Sequence, residues 1–523
     1  MKLEFRESII PEQQLSELGF LEYLDLFDFN LPIFPRSILS PMNSKEADIH
    51  FNELSNLVKI TSDHKTNFKQ LFKYAEELPN LDCIADNISK KKLDPHQLFN
   101  LGKFLEIDKK ITGLEHGLII KNNPCPAMIR ILKTYLTPGL GSFIRSQKEK
   151  TLQNEIGKLE KKLSMELVEY EKDIHDDTGI RMIYPWPKEM PTNEKTLVLA
   201  RKSKLVDVKI LRGLMNIEYI LPDHIRKIRD DMEKLVGELN TSSREKLNRI
   251  TNDLNKFHDK FKNYYNSRKQ RFFQYALVFA MKTNKLCLPE LSESIELNVT
   301  GGRLPILARN REKEYVPLKL SLKSGPNVLF GANMAGKTTV LKTIFFLTTL
   351  ARFGLPVPAK KFKLHFPKEI NLHLKSSGTL SDNLSGFGEE LDFFCHNWKT
   401  PSLILVDELF QSTNPIAGQE LSKIFLEHFR GKKHILFCTT QYPEILFSEG
   451  LQLYSMKDLD MENLKKGKKS ITDLLKKMPY EVERIKEHDI VKTIKESKKP
   501  LYIALHFPLS ESIKNKIEKR LKG

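Results

Sequence analysis

The stretch VLFGANMAGKTTVL, from Val328 to Leu341, constrains this chain more than any other. Val328, Leu329 and Phe330 form the short apolar run expected of a buried strand, and Val340, Leu341, Ile344 and Phe345 recur afterwards at helical spacing. Between them, Gly331-Ala332-Asn333-Met334-Ala335-Gly336-Lys337-Thr338-Thr339 fits G-x-x-x-x-G-K-[ST] residue for residue. A strand, a glycine-bounded loop and a helix in that order make a phosphate cradle. Gly331 and Gly336 let backbone N–H groups close around phosphate oxygens, and the helix N-terminus adds the positive end of its dipole. Lys337 is placed to reach the β- and γ-phosphates, and the Thr338 hydroxyl to ligate Mg²⁺. An ordinary glycine turn before a helix is the plain alternative, and it does not require the lysine, the hydroxyl and the flanking strand together. The stretch therefore predicts binding of a nucleoside triphosphate with Mg²⁺.

Hydrolysis needs more than a cradle. About 70 residues later, Leu403-Ile404-Leu405-Val406 reads as a second buried strand and ends in Asp407-Glu408. Asp407 is the expected second Mg²⁺ ligand, beside Thr338, and Glu408 the group that polarises the attacking water. A solvated acidic strand end would look similar in isolation; its position after the phosphate loop favours the catalytic reading.

At 523 residues the chain is long enough for about three domains. Its 84 Lys+Arg against 67 Asp+Glu leave a net charge of +17, which suggests a polyanionic partner, nucleic acid first. A general lysine-rich bias would give the same number. Five widely spaced cysteines with no C-x-x-C indicate neither a zinc site nor a disulfide framework. The N-terminus has no apolar signal region and no run approaches 18 apolar residues, so the expectation is a cytoplasmic protein with no membrane partner.

The expected organisation has four parts. Residues 1–144 read as a helical core, with helical patterns such as Glu46 to Ile60 and Leu98 to Ile111. Residues 145–275 read as long antiparallel coiled-coil lever arms: one stripe runs from Leu152 to Ile174, and the other from Ile225 through Leu239 and Leu247 to Tyr264, slipping phase near Ser242-Ser243. Between the arms, 176–222 reads as a small mixed tip with Pro185-Trp186-Pro187, a β-like run at Thr196 to Leu199, and the basic Arg201, Lys202 and Lys204, a candidate phosphate-backbone contact or simply a solvated loop. Residues 276–455 read as an α/β nucleotide-binding head built around the P-loop. Residues 456–523 form a lysine-rich accessory or dimer-contact segment with a β-like run at Leu501 to Leu505.

Three further stretches surround the two strands: Leu384 to Glu390 (LSGFGEE), read as a signature loop; Ser412 to Gly418 (STNPIAG); and Phe437 to Glu444 (FCTTQYPE), closing another apolar strand. Together with GRLP at Gly302 to Pro305 and GANMAGKTT, they make the chain resemble the MutS family of ABC-type ATPases, whose motifs read G-R-H-P, G-P-N-M-G-G-K-S-T, S-T-F-M-x-E-M and T-T-H-Y-P-E-L. The resemblance is strong from about Gly301 to Glu449 and looser upstream. It implies a head-to-head dimer, homodimeric or a paralogous heterodimer, in which Ser385 of one head completes the ATP site of the other and the Thr413 to Pro415 loop sits at the seam.

Departures from the family pattern carry expectations of their own. Gln441 stands where relatives have a histidine that contacts the γ-phosphate; an amide still hydrogen-bonds phosphate but carries no titratable charge, which points to slow or altered hydrolysis with binding retained. Leu304 replaces the histidine of the first motif. The chain begins almost at the helical core, which leaves no mismatch-reading domain, and shows no added nuclease domain. The resemblance thus implies an ATP-gated clamp on duplex DNA, of repair or recombination type. The alternative is a protein client, with ATP used to reactivate a cobalamin-dependent lysine or ornithine aminomutase, as some MutS-like chains do. A third reading is a structural dimer that binds ATP and hardly turns it over.

Overall fold

The computed structural model describes residues 18–27, 41–63, 67–115, 120, 123–137, 142–181, 186, 188–306, 316–331, 336–374, 383–396, 398–456, 481–496 and 510–522. They divide into two compact units, one of 73–268 and one of 1–72 with 269–523. This division differs from the boundaries expected at 144 and 275. Phe68 and Phe72 pack with Phe279 in one unit, whereas Leu81 donates its N–H to the Tyr265 hydroxyl (2.9 Å) in the other.

In the 73–268 unit, helix α1 (Pro95–Leu114) starts at a capping box: Asp94 accepts from the Gln97 N–H and the Gln97 side chain returns to the cap, with Pro95 in the first turn. Helix α2 (Gln147–Thr178) starts at a second such box, Ser146 with Glu149, and ends at Gly179 in the left-handed conformation (φ 70°). The tip follows as β1 (Glu189–Pro191), helix α3 (Glu194–Lys202), β2 (Val206–Leu211) and β3 (Leu214–Tyr219). Helix α4 (Asp223–Asn255) then returns antiparallel to α2: Glu149, early in α2, accepts from Ser242 (2.8 Å) and Lys246 late in α4, while Glu166 faces His224 at the start of α4 (3.2 Å). Leu152 and Ile156 on one helix and Ile225 and Ile228 on the other are buried.

The second stripe is not one continuous helix. Phe257 N–H turns back to the Leu254 carbonyl (2.9 Å) and α5 (His258–Asn284) begins, which keeps Leu254 and Phe261 both buried across the break.

The tip is a three-stranded antiparallel sheet in the order β1-β3-β2. Its core of Val206, Met215, Ile217 and Ala200 is closed by Tyr170 and Ile174 of α2. The run Thr196 to Leu199 is helical, not β-like. Asn193 caps α3 by accepting from the Lys195 N–H (3.1 Å), Glu194 lies in the first turn and Arg201 and Lys202 in the last, all suited to the helix dipole, and a short apolar run alone cannot decide between strand and helix.

In the other unit, a mainly antiparallel sheet is built from β4 (Glu290–Leu291), β5 (Glu296–Gly302), β6 (Leu318–Lys323) and β8 (Lys361–Leu364) in the order β4-β8-β5-β6. The second sheet has the order β13-β12-β7-β11-β10-β9 and holds β7 (Gly325–Phe330), β9 (Glu369–His373), β10 (Ser402–Val406), β11 (Ile435–Thr440), β12 (Gln452–Met456) and β13 (Val482–Arg484). All its pairs are parallel except β12 with β13. Strands β7, β10 and β11 are buried at every position, as parallel strands covered on both faces must be. Helices α6 (Lys337–Arg352), α7 (Asn383–Cys395) and α8 (Pro415–Phe429) belong to the same head.

Two expectations change here. The head runs past residue 455, because β13 pairs along the open edge of β12 and Ile485 and Ile490 enter its core. The stretch Leu384 to Glu390, read as a loop, lies within α7. The run Leu501 to Leu505 and the lysines Lys465 to Lys477 lie outside the described residues. No described helix is long and apolar enough to cross a membrane.

Candidate functional site

Because β7, β11 and β10 are parallel neighbours, their C-terminal ends share one edge of the sheet. Gly331 follows β7, Gln441 follows β11, and Asp407 and Glu408 follow β10, so residues more than a hundred positions apart converge there. Gly336 takes a left-handed conformation (φ 94°) as the residue capping α6, the backbone the motif needs glycine for. Lys337 comes next, only 5% exposed, and its ammonium donates to the Gly331 carbonyl (2.7 Å). Burial lowers the Lys337 pKa, and the nearby Glu408 and Asp407 carboxylates oppose that shift.

Thr338 Oγ1 donates to Asp407 Oδ2 at 2.6 Å. The other Asp407 oxygen accepts from Thr439 Oγ1 (2.7 Å), and the same Thr439 oxygen accepts the Glu408 N–H (2.7 Å). One hydroxyl on β11 therefore fixes both acidic positions at the end of β10. Gln441 Nε2 donates to Glu408 Oε1 at 2.7 Å, so in this structure the amide is engaged with the carboxylate. Glu408 and Phe410 both have positive φ (55° and 51°), an unfavourable backbone for side chains of their size. Bonds around them hold it: Leu409 N–H to Thr439 O (3.0 Å), and Phe410 N–H to the buried carboxylate of Glu390 (2.6 Å).

Of the residues singled out from sequence, Gly331, Gly336, Lys337, Thr338, Asp407, Glu408 and Gln441 come to this edge. Thr339 lies one position further along α6, where its carbonyl accepts from Thr343 (2.7 Å). Ala332, Asn333, Met334 and Ala335 lie outside the described residues, as does the side chain of Ser385, whose backbone is in α7. Asn414 caps α8, its side chain accepting from the Ile416 N–H (2.9 Å), and Ile416 is 78% exposed. At the tip, Trp186 donates to Glu171 (2.6 Å), and Arg201, Lys202 and Lys204 are exposed. Thr439 and Glu390 lie in stretches that the sequence singles out without a role for either residue, and Gln411 lies outside all of them.

The donor set suits a magnesium nucleotide. Thr338 and Asp407 bring two hard oxygens together at hydrogen-bond distance, and the buried Lys337 ammonium offers a cation for phosphate oxygens. Among the described residues no group of three or more His, Cys, Asp or Glu could hold a metal ion, so Mg²⁺ here would complete its shell with phosphate and water oxygens.

Residues 327–484 match the family model for MutS domain V. The chain is 34% identical over 163 residues to an Endonuclease MutS2 of Carboxydothermus hydrogenoformans, covering 30% of this chain and 20% of that one. It is 26% identical over 409 residues to an Endonuclease MutS2 of Clostridium tetani, covering 75% of this chain and 48% of the relative. A DNA mismatch repair protein MSH3 of Arabidopsis thaliana is 29% identical over 160 residues, 29% of this chain and 15% of that one. The chain thus spans less than half the length of each of these curated relatives. The matched segment holds Lys337, Thr338, Asp407, Glu408 and Gln441. Over residues 327–484, then, the chain carries a MutS domain V, and it is similar to MutS2 and MSH proteins.

Proposed function

We propose that this protein is an ATP hydrolase whose paired heads bind ATP and Mg²⁺ and whose arms engage duplex DNA in repair or recombination. The observation that carries the enzymatic part is the unbroken polar chain Thr338–Asp407–Thr439–Glu408–Gln441 at the edge where the phosphate loop begins. Bound ATP with Mg²⁺ supplies the polarised phosphoryl group. Lys337 exchanges its bond to the Gly331 carbonyl for phosphate oxygens. Thr338 and Asp407 hold the cation. Glu408 orients the attacking water and takes up its proton at a carboxylate oxygen, with Gln441 fixing the carboxylate's direction. In the dimer, Ser385 of the second head completes the site, and the Asn414–Ile416 surface meets its counterpart.

Steady-state turnover of Glu408→Gln tests the chemistry. The expected outcome is a fall in kcat of at least about a hundredfold with ATP affinity retained. Unchanged turnover would remove Glu408 from the mechanism.

The DNA part is supported by the net charge of +17 and the exposed Arg201, Lys202 and Lys204. Duplex affinity should fall steeply between low and high salt. No binding even at low salt would reopen the aminomutase-reactivation reading, which none of the relatives named above favours.

A further inference from the structure

We infer that Gln411, a residue outside every motif above, is a positioning residue for Glu408: it closes the second side of a two-amide clamp that aims the carboxylate. This rests on the ATP-hydrolysis reading just given and adds a residue to it. Gln441 holds one oxygen of Glu408, with Nε2 2.7 Å from Oε1. With the Gln411 amide turned so that both its ends are satisfied, its nitrogen donates to the other oxygen, Oε2, at 3.0 Å. Its oxygen then accepts the backbone N–H of Gln441 at 3.2 Å. Each glutamine therefore grips one oxygen of Glu408, and Gln411 also ties the two strand ends to one another.

The platform under Gln411 is built to hold this arrangement. Its own N–H bonds the Glu408 carbonyl (3.1 Å), closing a tight turn that contains the two positive-φ residues. Leu409 and Phe410, between them, are completely buried. The Phe410 carbonyl accepts from the Tyr442 hydroxyl (3.2 Å), and a Cβ at Gly418 would lie 2.2 Å from that carbonyl oxygen, so no larger residue fits beneath it. A backbone fixed this firmly keeps Gln411 within reach of Glu408. A carboxylate held by one donor can still swing about that contact; held at both oxygens, it presents a single direction to water. Amide donors accomplish this without adding a second cation to the Lys337 ammonium already near Glu408.

The test compares ATP turnover and binding of a fluorescent non-hydrolysable triphosphate in full-length wild type, Gln411→Ala, Gln411→Glu, Glu408→Ala and the double variant Gln411→Ala/Glu408→Ala. Gln411→Glu keeps the shape but offers acceptors where a donor is needed, so it serves if the alanine variant folds poorly. The expected result is a fall in kcat of about tenfold or more in both Gln411 variants, with KM and triphosphate affinity within about twofold of wild type. On the Glu408→Ala background, Gln411→Ala should change nothing further. Wild-type kcat in the Gln411 variants, a raised KM at intact kcat, or an undiminished effect without Glu408 would each overturn the inference while leaving the ATP-hydrolysis reading standing. Absence of turnover in wild type, or no loss in Glu408→Ala, would overturn that reading and the inference with it.

Discussion

Arg268 is 1% exposed and lies between two buried carboxylates, with Nε 2.8 Å from Asp108 and Nη1 2.5 Å from Glu115. Its remaining nitrogen reaches the Tyr264 hydroxyl (2.8 Å), which itself donates to Asp108 (2.7 Å). Burial raises the Asp108 pKa even though the guanidinium opposes the shift. Replacing Arg268 by Met should lower stability by about 3–5 kcal/mol, because two carboxylates would remain buried with no cation, and urea unfolding would measure it. Nothing in the sequence marked this cluster: Asp108, Glu115 and Arg268 are scattered charges in helical patterns, and burial of a charge is a tertiary fact. The residues proposed to hold ATP are legible for the opposite reason. Lys337, Thr338, Asp407 and Glu408 sit at fixed offsets from glycines or apolar strands, so local spacing announces them. Thr439 and Gln411 act across strands, where spacing along the chain carries no signal.

At the scale of elements, one carboxylate, Glu149 of α2, joins that helix to α4 through Ser242 and Lys246. Burial alone would raise the Glu149 pKa, but hydrogen bonds from Lys246, the Ser146 N–H and Ser242 outweigh it and hold the group at about 2. A carboxyl depressed in the folded state stabilises above its unfolded value near 4.5 and loses that contribution as pH falls toward 2. Wild type should therefore lose stability across this window more steeply than Glu149→Gln, as thermal unfolding at stepped pH would record. Equal slopes would mean that the bonds to Glu149 contribute nothing net.

The pairing of these helices could be anticipated from stripes spaced by three and four, and the head's strands from apolar runs next to glycine or acidic residues. The break at Phe257 could not, since Leu254, Phe257 and Phe261 keep the apolar spacing through it. Over α3, the short run Thr196 to Leu199 satisfies either period, and the Asn193 cap and terminal charges are the better guide.

For the whole molecule, the sequence points to helical and mixed α/β parts, with limits placed where composition changes. The structure sets the limits by packing, which brings Ile485 and Ile490 into the head and assigns residues 1–72 to the same unit as 269–523.

Sedimentation velocity of the purified protein, followed at the absorbance of a labelled non-hydrolysable triphosphate, tests the account most directly. With Mg²⁺, the label should co-sediment with a two-chain species, and it should not do so in Lys337→Ala. Label left behind by wild-type protein at saturating Mg²⁺, or carried only by single chains, would contradict the account.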